Sequence, residues 1–327
     1  MPTEHHEGRP VVALSAGAAL LAGALSSVQS RANGQLAQVF GAPADASLWS
    51  FGSGWVLLLA LVLLVPQVRR GVVEVVRAVR ERRLRPWTTV GGILGAAFVA
   101  VQTFAVPTIG VALFTIAIVG GQTTSALLVD RLGLGPAGRV HVTAGRVVAA
   151  LLTFVGVAVA VSARSGSGAS AALPVVPVLL AVLAGAGIAL QQAINGRVNR
   201  VSGSPLATTA INFTWGVGTL LGWALALAVR GGLHPPRTWH APWWAFLGGF
   251  IGIVYIAIGA VVVHHLGVLV AALITLTGQL VSAVVIDLLS PSAQGHVGPQ
   301  LLLGVGLTLV AALGAGVAAQ RARRVAR

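Results

Sequence analysis

The stretch "LAGALSSVQSRANGQLAQVFGAP" (residues 21–43) places two amides, Gln29 and Asn33, four residues apart in an otherwise apolar helix. Residues four apart lie on the same face of a helix. An amide inside the hydrocarbon of a membrane needs a partner, which another helix, a water-filled cavity or a ligand can supply. The stretch therefore predicts a membrane helix with a polar face that contacts something other than lipid.

A second stretch, "LAGAGIALQQAINGRVNRVSGSP" (residues 183–205), has the same two amides as Gln191 and Asn195. The similarity extends along the chain without gaps, because residues 21–54 match residues 183–216. A further match aligns residues 87–130 with 244–287, including Gln122, Ser125 and Asp130 with Gln279, Ser282 and Asp287. The amides therefore belong to a duplicated unit.

The composition is that of a polytopic membrane protein. The chain is 56% hydrophobic and only 9% charged, with a mean hydropathy of +0.90, whereas about a quarter of the residues in soluble domains are charged. Because there is no cysteine, disulfides and thiolate metal sites are excluded. The net charge of +14 comes from arginines between apolar segments, which indicates membrane topology rather than nucleic-acid binding. No cofactor and no metal site are expected.

Apolar runs long enough to cross a bilayer recur through the whole chain. We predict ten spans, at residues 11–30, 46–66, 88–107, 109–129, 141–162, 173–194, 206–229, 243–264, 267–289 and 299–319. Each half, 11–163 and 173–319, holds five spans, and an odd number makes the second half enter the membrane from the opposite side. The predicted fold is an all-α membrane protein built from two inverted five-helix repeats, an arrangement typical of alternating-access transporters.

The arginines predict the orientation. With a cytoplasmic N-terminus, the cytoplasmic side receives all of the 21 basic residues except Arg31, Arg164, Arg230 and Arg237, as the positive-inside rule requires. Both termini are therefore expected in the cytoplasm. The segment 67–86 contains seven of the arginines and valines at helical spacing, so we expect it to lie along the membrane surface, with the lipid bilayer as its partner.

The repeated motif resembles a known family. The spacing G-x5-Q-x3-N-G and the later "GQTTSALLVD" and "GQLVSAVVID" resemble the YdcZ-type proteins of the bacterial inner membrane, in the drug/metabolite transporter superfamily. The resemblance covers nearly the whole chain in its two-copy form. It implies ten helices around a central cavity, a bacterial inner-membrane location and the export of a small molecule, but no particular substrate.

The repeated polar residues are the candidate substrate-binding residues. Two interpretations remain open: they line the central cavity, or they only form interhelical hydrogen bonds, which are worth ~0.6 kcal/mol on average. The set consists of Gln29, Asn33, Gln191, Asn195, Gln122, Gln279, Ser125 and Ser282.

Three charged residues are candidates for coupling or gating. Asp130 and Asp287 end the fourth and ninth spans, and this position favours an interfacial or helix-locking role over a proton or cation site. Arg31 lies beside the first amide pair, where it can snorkel to the interface or bind an anion. No acidic residue lies near the middle of a predicted span, so a neutral or zwitterionic solute fits better than a permanent cation.

The predicted function is a secondary transporter that exports a small metabolite across the bacterial inner membrane, and no catalytic residue is assigned. One alternative is an integral-membrane enzyme acting on a lipid, which would need a cluster of acids, histidines or lysines at one interface. Another is a passive channel or an assembly partner. The sequence leaves the oligomeric state open, a homodimer included.

Overall fold

The computed structural model describes residues 9–135, 138–139, 142–162, 175–232, 235–290 and 297–325, with side chains except at 9–10, 260, 263–264, 267–269 and 315–325. The predicted junction between the halves, at 163–173, lies outside these residues. The described residues form helices and no strands. The helices are α1 (Arg9–Phe40), α2 (Pro43–Leu64), α3 (Pro66–Arg80), α4 (Gly91–Leu132), α5 (Ala144–Ser162), α6 (Val175–Ser202), α7 (Pro205–Val229), α8 (Gly248–Leu289) and α9 (Pro299–Val325). Short 3-10 helices, Pro86–Thr89 and Trp243–Leu247, precede α4 and α8.

The same turn joins the first two helices of each half. Gly41 and Gly203 take left-handed φ angles of 67° and 61°, which end α1 and α6 because glycine adopts this conformation without a steric penalty. Pro43 and Pro205 then begin α2 and α7, at the helix position where a missing N–H costs nothing. The helix α1 runs well past the predicted end of the first span at residue 30, so both amides of the opening stretch lie within it.

Although α4 is 42 residues long, it is not one straight helix. Gly110, with φ 76° and ψ 169°, interrupts it, and the rings of Phe98 and Phe114 lie 5.9 Å apart. Sixteen residues of straight helix would separate these side chains by about 24 Å. The chain therefore folds back at Gly110, and its two segments correspond to the predicted spans 88–107 and 109–129.

The chain is a multi-pass membrane protein. Within the described residues, seven helices have the length and hydropathy of a membrane span, with the region Pro86–Leu132 counted as one, and two shorter apolar helices cover Trp243–Gly259 and Pro299–Gly314. An α-helix crosses the hydrocarbon core with about 20 residues, so the 47 residues of the first region suffice for two crossings once the fold-back is taken into account.

Equivalent glycines make equivalent close contacts in the two halves. Gly23 of α1 lies against the backbone of Thr275 in α8, and its counterpart Gly185 of α6 lies against the backbone of Ile118 in α4. Close backbone approach through small residues is how membrane helices pack. At the centre of the molecule the rings of Phe51 and Phe213, which are also counterparts, stack with centroids 4.7 Å apart. Each half therefore packs its first helix against the long helix of the other half.

The arginine-rich segment after α2 is helical, as predicted. The helix α3 buries Val68, Gly71, Val75 and Ala78, and Gly71 packs against Ala207 at the start of α7. Its arginines stay exposed on the opposite side. Contact between this exposed face and the membrane surface stays a prediction.

Candidate functional site

A half-open cavity of about 330 Å³ lies between α6, α7 and α8 of the second half, with Phe51 of α2 also on its wall. We call it the amide-lined cavity. Two of the predicted substrate-binding residues, Gln191 and Asn195, line it. The cavity wall contains three further amides and a phenol, together with two threonines and apolar side chains. The further polar groups are Gln192, Asn199, Asn212 and Tyr255, with Thr208 and Thr209.

In the first half the matching amide, Asn33, is buried and held by hydrogen bonds, and we call this half the sealed half. Asn33, which is fully buried, donates from Nδ2 to Oε1 of Gln102 across 2.6 Å. Gln102 in turn donates from Nε2 to Oγ of Ser30 across 2.7 Å. The residue that aligns with Gln102 in the second half is Gly259. The amide of Asn33 is therefore held by a third amide, Gln102, which has no counterpart in the second half.

Glycines make the room in which the amides lie. A β-carbon added at Gly95 would lie 2.7 Å from Nε2 of Gln191, and one added at Gly252 would lie 2.6 Å from Nε2 of Gln29. Real β-carbons are not found so close to a neighbouring atom. The repeated glycines of α4 and α8 therefore position the amides as well as pack the helices.

Two amide oxygens at the site have no hydrogen-bond partner. These are Oδ1 of Asn33 and Oδ1 of Asn212, both buried. Oδ1 of Asn212 also lies 2.9 Å from the position of a β-carbon at Gly91. A buried amide oxygen without a donor is costly.

Asp287 locks the broken helix α4. Its carboxylate oxygens accept the backbone N–H groups of Val111 at 2.9 Å and Ala112 at 2.8 Å, directly after the interruption at Gly110. A broken helix exposes unpaired N–H groups at its new N-terminus, where a carboxylate is stabilised. Asp287 is only 3% exposed, so it is buried inside the protein.

The counterpart of Asp287 has a different partner. Asp130 is about one-third exposed and accepts a hydrogen bond of 2.5 Å from the guanidinium of Arg146 at the start of α5. The two aspartates are equivalent in sequence, but one caps a helix and the other forms an ion pair. Both contacts are of the helix-locking kind, and a role in coupling stays a prediction.

The other predicted residues do not line the cavity, although Gln122 contacts a residue that does. Gln122 donates to Oε1 of Gln192 across 3.0 Å and is partly buried. The backbone oxygen of Gln279 accepts the hydroxyl of Ser27. Among the hydrogen bonds of the described residues, none joins the partly buried Ser125, Ser282 or Arg31 to the amide pairs. The structure therefore brings Gln191 and Asn195 to one cavity but leaves most of the repeated polar set elsewhere.

Sequence reasoning missed the residues that differ between the halves. Gln102, Asn212 and Tyr255 each line or seal the site, yet their counterparts are Gly259, Ser50 and Phe98. A glutamine in the middle of an apolar span is as unusual as Gln29. An amide within an apolar run is therefore a sequence signal that identifies Gln102 as a candidate site residue.

Comparison with known proteins agrees with this architecture. A family model described as "Putative inner membrane exporter, YdcZ" matches residues 14–159 and 176–314. Six chains of solved structures are similar. One, titled "Crystal structure of protein", is 19% identical, with a TM-score of 0.51 over 97% of this chain and 99% of that chain. This likeness concerns the fold alone. No curated protein matches the chain.

Proposed function

The chain belongs to the YdcZ family of inner-membrane exporters, and from this premise we propose that it exports a small neutral or zwitterionic metabolite by alternating access. The family model covers both halves of the chain, which is the extent expected of a two-copy transporter. The proposal assigns the substrate to the amide-lined cavity of the second half.

The observation that carries the proposal is the difference between the two amide pairs. Gln191 and Asn195 line a cavity, whereas Asn33 is buried and bonded to Gln102. Two equivalent sites, one open and one sealed, are what an alternating-access transporter has in either of its end states. Exchange of these two conformations would seal the second half and open the first.

The lining supports an uncharged or zwitterionic solute. As far as the described residues go, the amide-lined cavity has five amides, two threonines and a tyrosine on its wall but no acidic or basic side chain. Amides and hydroxyls can both donate and accept hydrogen bonds, so they match hydroxyl, amide or paired ionic groups. A solute with a net charge would lose its hydration shell on entering the cavity and would find no counter-charge there, which costs free energy.

The proposed topology has ten spans, with both termini in the cytoplasm and an axis of two-fold pseudosymmetry in the membrane plane. The fold-back of α4 at Gly110 and the equivalent contacts of Gly23 and Gly185 support it. In such a pair of inverted repeats the two halves exchange shapes, so that a cavity open to one side becomes open to the other.

Counterflow in proteoliposomes tests the function. Purified protein is first screened by thermal stability against amino acids, sugars and polyols, because a bound ligand raises apparent stability. The best stabiliser is then supplied in labelled form to proteoliposomes loaded with the unlabelled solute. Transient accumulation of label supports a carrier. Simple equilibration of the label would indicate a channel, and chemical conversion of the solute would indicate an enzyme; either result refutes the proposal.

A further inference from the structure

A second cavity, of about 400 Å³, lies between the α1–α2 turn and the helices α4, α6 and α7. It shares no lining residue with the amide-lined cavity. Its wall is almost entirely apolar and includes the aromatic side chains of Phe104 and Trp223, with Leu180 and Leu227. Among the residues that the structure describes, Asp45 is the one ionisable side chain on this wall.

Asp45 has an unsatisfied carboxylate oxygen. Its Oδ2 atom is buried and has no hydrogen-bond partner, and no ion pair among the described residues includes it. Asp45 lies in the first turn of α2, where the helix dipole favours a negative charge. The dipole stabilises the charge but supplies no donor to Oδ2, and a buried acceptor without a donor is costly.

We propose that this cavity binds an amphipathic primary amine, with its ammonium group on Asp45 and its apolar body along Phe104, Trp223 and the leucines. An ammonium N–H can donate a hydrogen bond to the carboxylate of Asp45 on the cavity wall, and the two charges attract. The faces of tryptophan and phenylalanine also attract cations. A volume of about 400 Å³ lies within the range of roughly 300–1,000 Å³ usual for small-molecule sites.

The same features exclude other classes of ligand. Divalent metal ions need several oxygen ligands, and this wall offers one carboxylate. A quaternary ammonium carries the charge but has no N–H to donate to the carboxylate. An anion would be repelled by Asp45, and a neutral alcohol of equal length would gain only the apolar contacts.

The cavity is accessible from the membrane. Its lining residues Phe104 and Trp223 are 44% and 37% exposed, and both lie on helices that cross the bilayer. Amphipathic amines concentrate at the membrane interface, so they can reach Asp45 from lipid without passing through the amide-lined cavity. The proposal is independent of the exporter assignment, which concerns the other cavity.

Calorimetric titration of the full chain in phosphatidylcholine nanodiscs tests the site, with decylamine as the probe and protein-free nanodiscs as the reference for partition into lipid. We expect saturable binding of decylamine to the wild-type chain and at least tenfold weaker binding to Asp45→Asn. The matched control is Glu81→Gln, which removes an exposed carboxylate paired with Arg83 and should leave the affinity unchanged.

Two further measurements separate the proposal from a loss of folding or a simple apolar groove. Leu180→Trp fills the cavity but keeps Asp45, and it should also weaken decylamine binding. Decanol and decyltrimethylammonium should bind the wild-type chain at least tenfold more weakly than decylamine. Equal affinity of Asp45→Asn and wild type for decylamine, or equal affinity of wild type for decylamine and decyltrimethylammonium, would overturn the proposal.

Discussion

The carboxylate of Asp287, near the end of α8, accepts the backbone N–H of Val111, directly after the break in α4, across 2.9 Å. The contact joins the long helix of one half to the fold-back of the other. It also places a buried negative charge at the N-terminus of a helical segment, where the unpaired N–H groups stabilise it.

Replacing Asp287 should destabilise the protein strongly. Asp287→Ala leaves two buried N–H groups without acceptors, and hydrogen bonds to charged groups are worth about 1.5–3 kcal/mol each. We expect a loss of about 3–6 kcal/mol in the free energy of unfolding, measured by denaturant titration in detergent. Asp130→Ala is the matched control, because its ion pair is about one-third exposed and should cost at most about 1 kcal/mol. Equal losses in the two variants would contradict the capping role.

The amide pairs should be required for transport but not for folding. Gln29→Leu and Asn195→Leu remove hydrogen-bonding groups from the two equivalent sites, so counterflow should fall at least tenfold in each variant, with unchanged gel-filtration and circular dichroism profiles. Gln67→Leu, at an exposed position on α3, makes the same change outside the cavity and should transport normally. Wild-type counterflow in both amide variants would refute their assignment to the substrate path.

Two glycines three residues apart on α4 should respond differently to alanine. The added β-carbon of Gly95→Ala meets the mobile end of Gln191, so the protein should remain folded while the displaced amide weakens ligand binding. The β-carbon of Gly92→Ala meets the backbone of Asn212, which cannot move away without separating α4 from α7. We therefore expect Gly92→Ala to lower the midpoint of thermal unfolding markedly and Gly95→Ala to change only affinity. A reversed pattern would show that Gln191 is not positioned by Gly95.

Removing Gln102 should open the sealed half. The two hydrogen bonds of Gln102 are worth about 1.2 kcal/mol together at the average of ~0.6 each for membrane helices, which corresponds to roughly a five- to tenfold shift in population. The chain has no cysteine, so a single Ser47→Cys reports the accessibility of this fully buried position. Its reaction with a water-soluble maleimide should accelerate about five- to tenfold when combined with Gln102→Ala.

The counterpart position supplies the control for that labelling experiment. Thr209 lines the open cavity and aligns with Ser47, so Thr209→Cys should react readily in the wild-type background. An unchanged rate for Ser47→Cys after the loss of Gln102 would mean that other contacts seal the first half.

The predicted orientation can be tested with fusion reporters. Because the arginines predict that both termini lie in the cytoplasm, alkaline phosphatase fused after Arg327 should be inactive and green fluorescent protein at the same position should be fluorescent. Active phosphatase at the C-terminus would refute the predicted topology.

The sequence predicted those parts of the fold that the two halves share. The helical character of the segment 67–86 and the division of α4 near Gly110 follow from hydropathy and residue spacing, and the correspondence of the turns at Gly41 and Gly203 follows from the duplication. The C-terminal end of α1 could not be predicted from hydropathy. An apolar run marks only the part of a helix inside the hydrocarbon core, whereas the helix itself continues until a residue such as Gly41 ends it. For the same reason, the amides of the opening stretch lie deeper in the helix than predicted.

The site was predicted only in part, and the reason is specific. The candidate residues were those that occur in both halves, and such residues mainly serve the helix packing that both halves need. Gln102, Asn212 and Asp45 have Gly259, Ser50 and Ala207 as counterparts, so the duplication conceals them. Asp45 also begins a helix just outside the predicted span, and only the tertiary packing of α4, α6 and α7 around it creates its cavity.

Gln102 of the first half aligns with Gly259 of the second half, and this difference affects the kinetics of the proposed carrier. The two closed forms are held by different bonds, so without solute the protein rests mostly in one of them. Binding from the disfavoured face is then weakened by the small fraction of molecules that present it. A carrier of this kind shows different half-saturation concentrations on the two sides of the membrane, although the solute gradient at equilibrium stays unaffected.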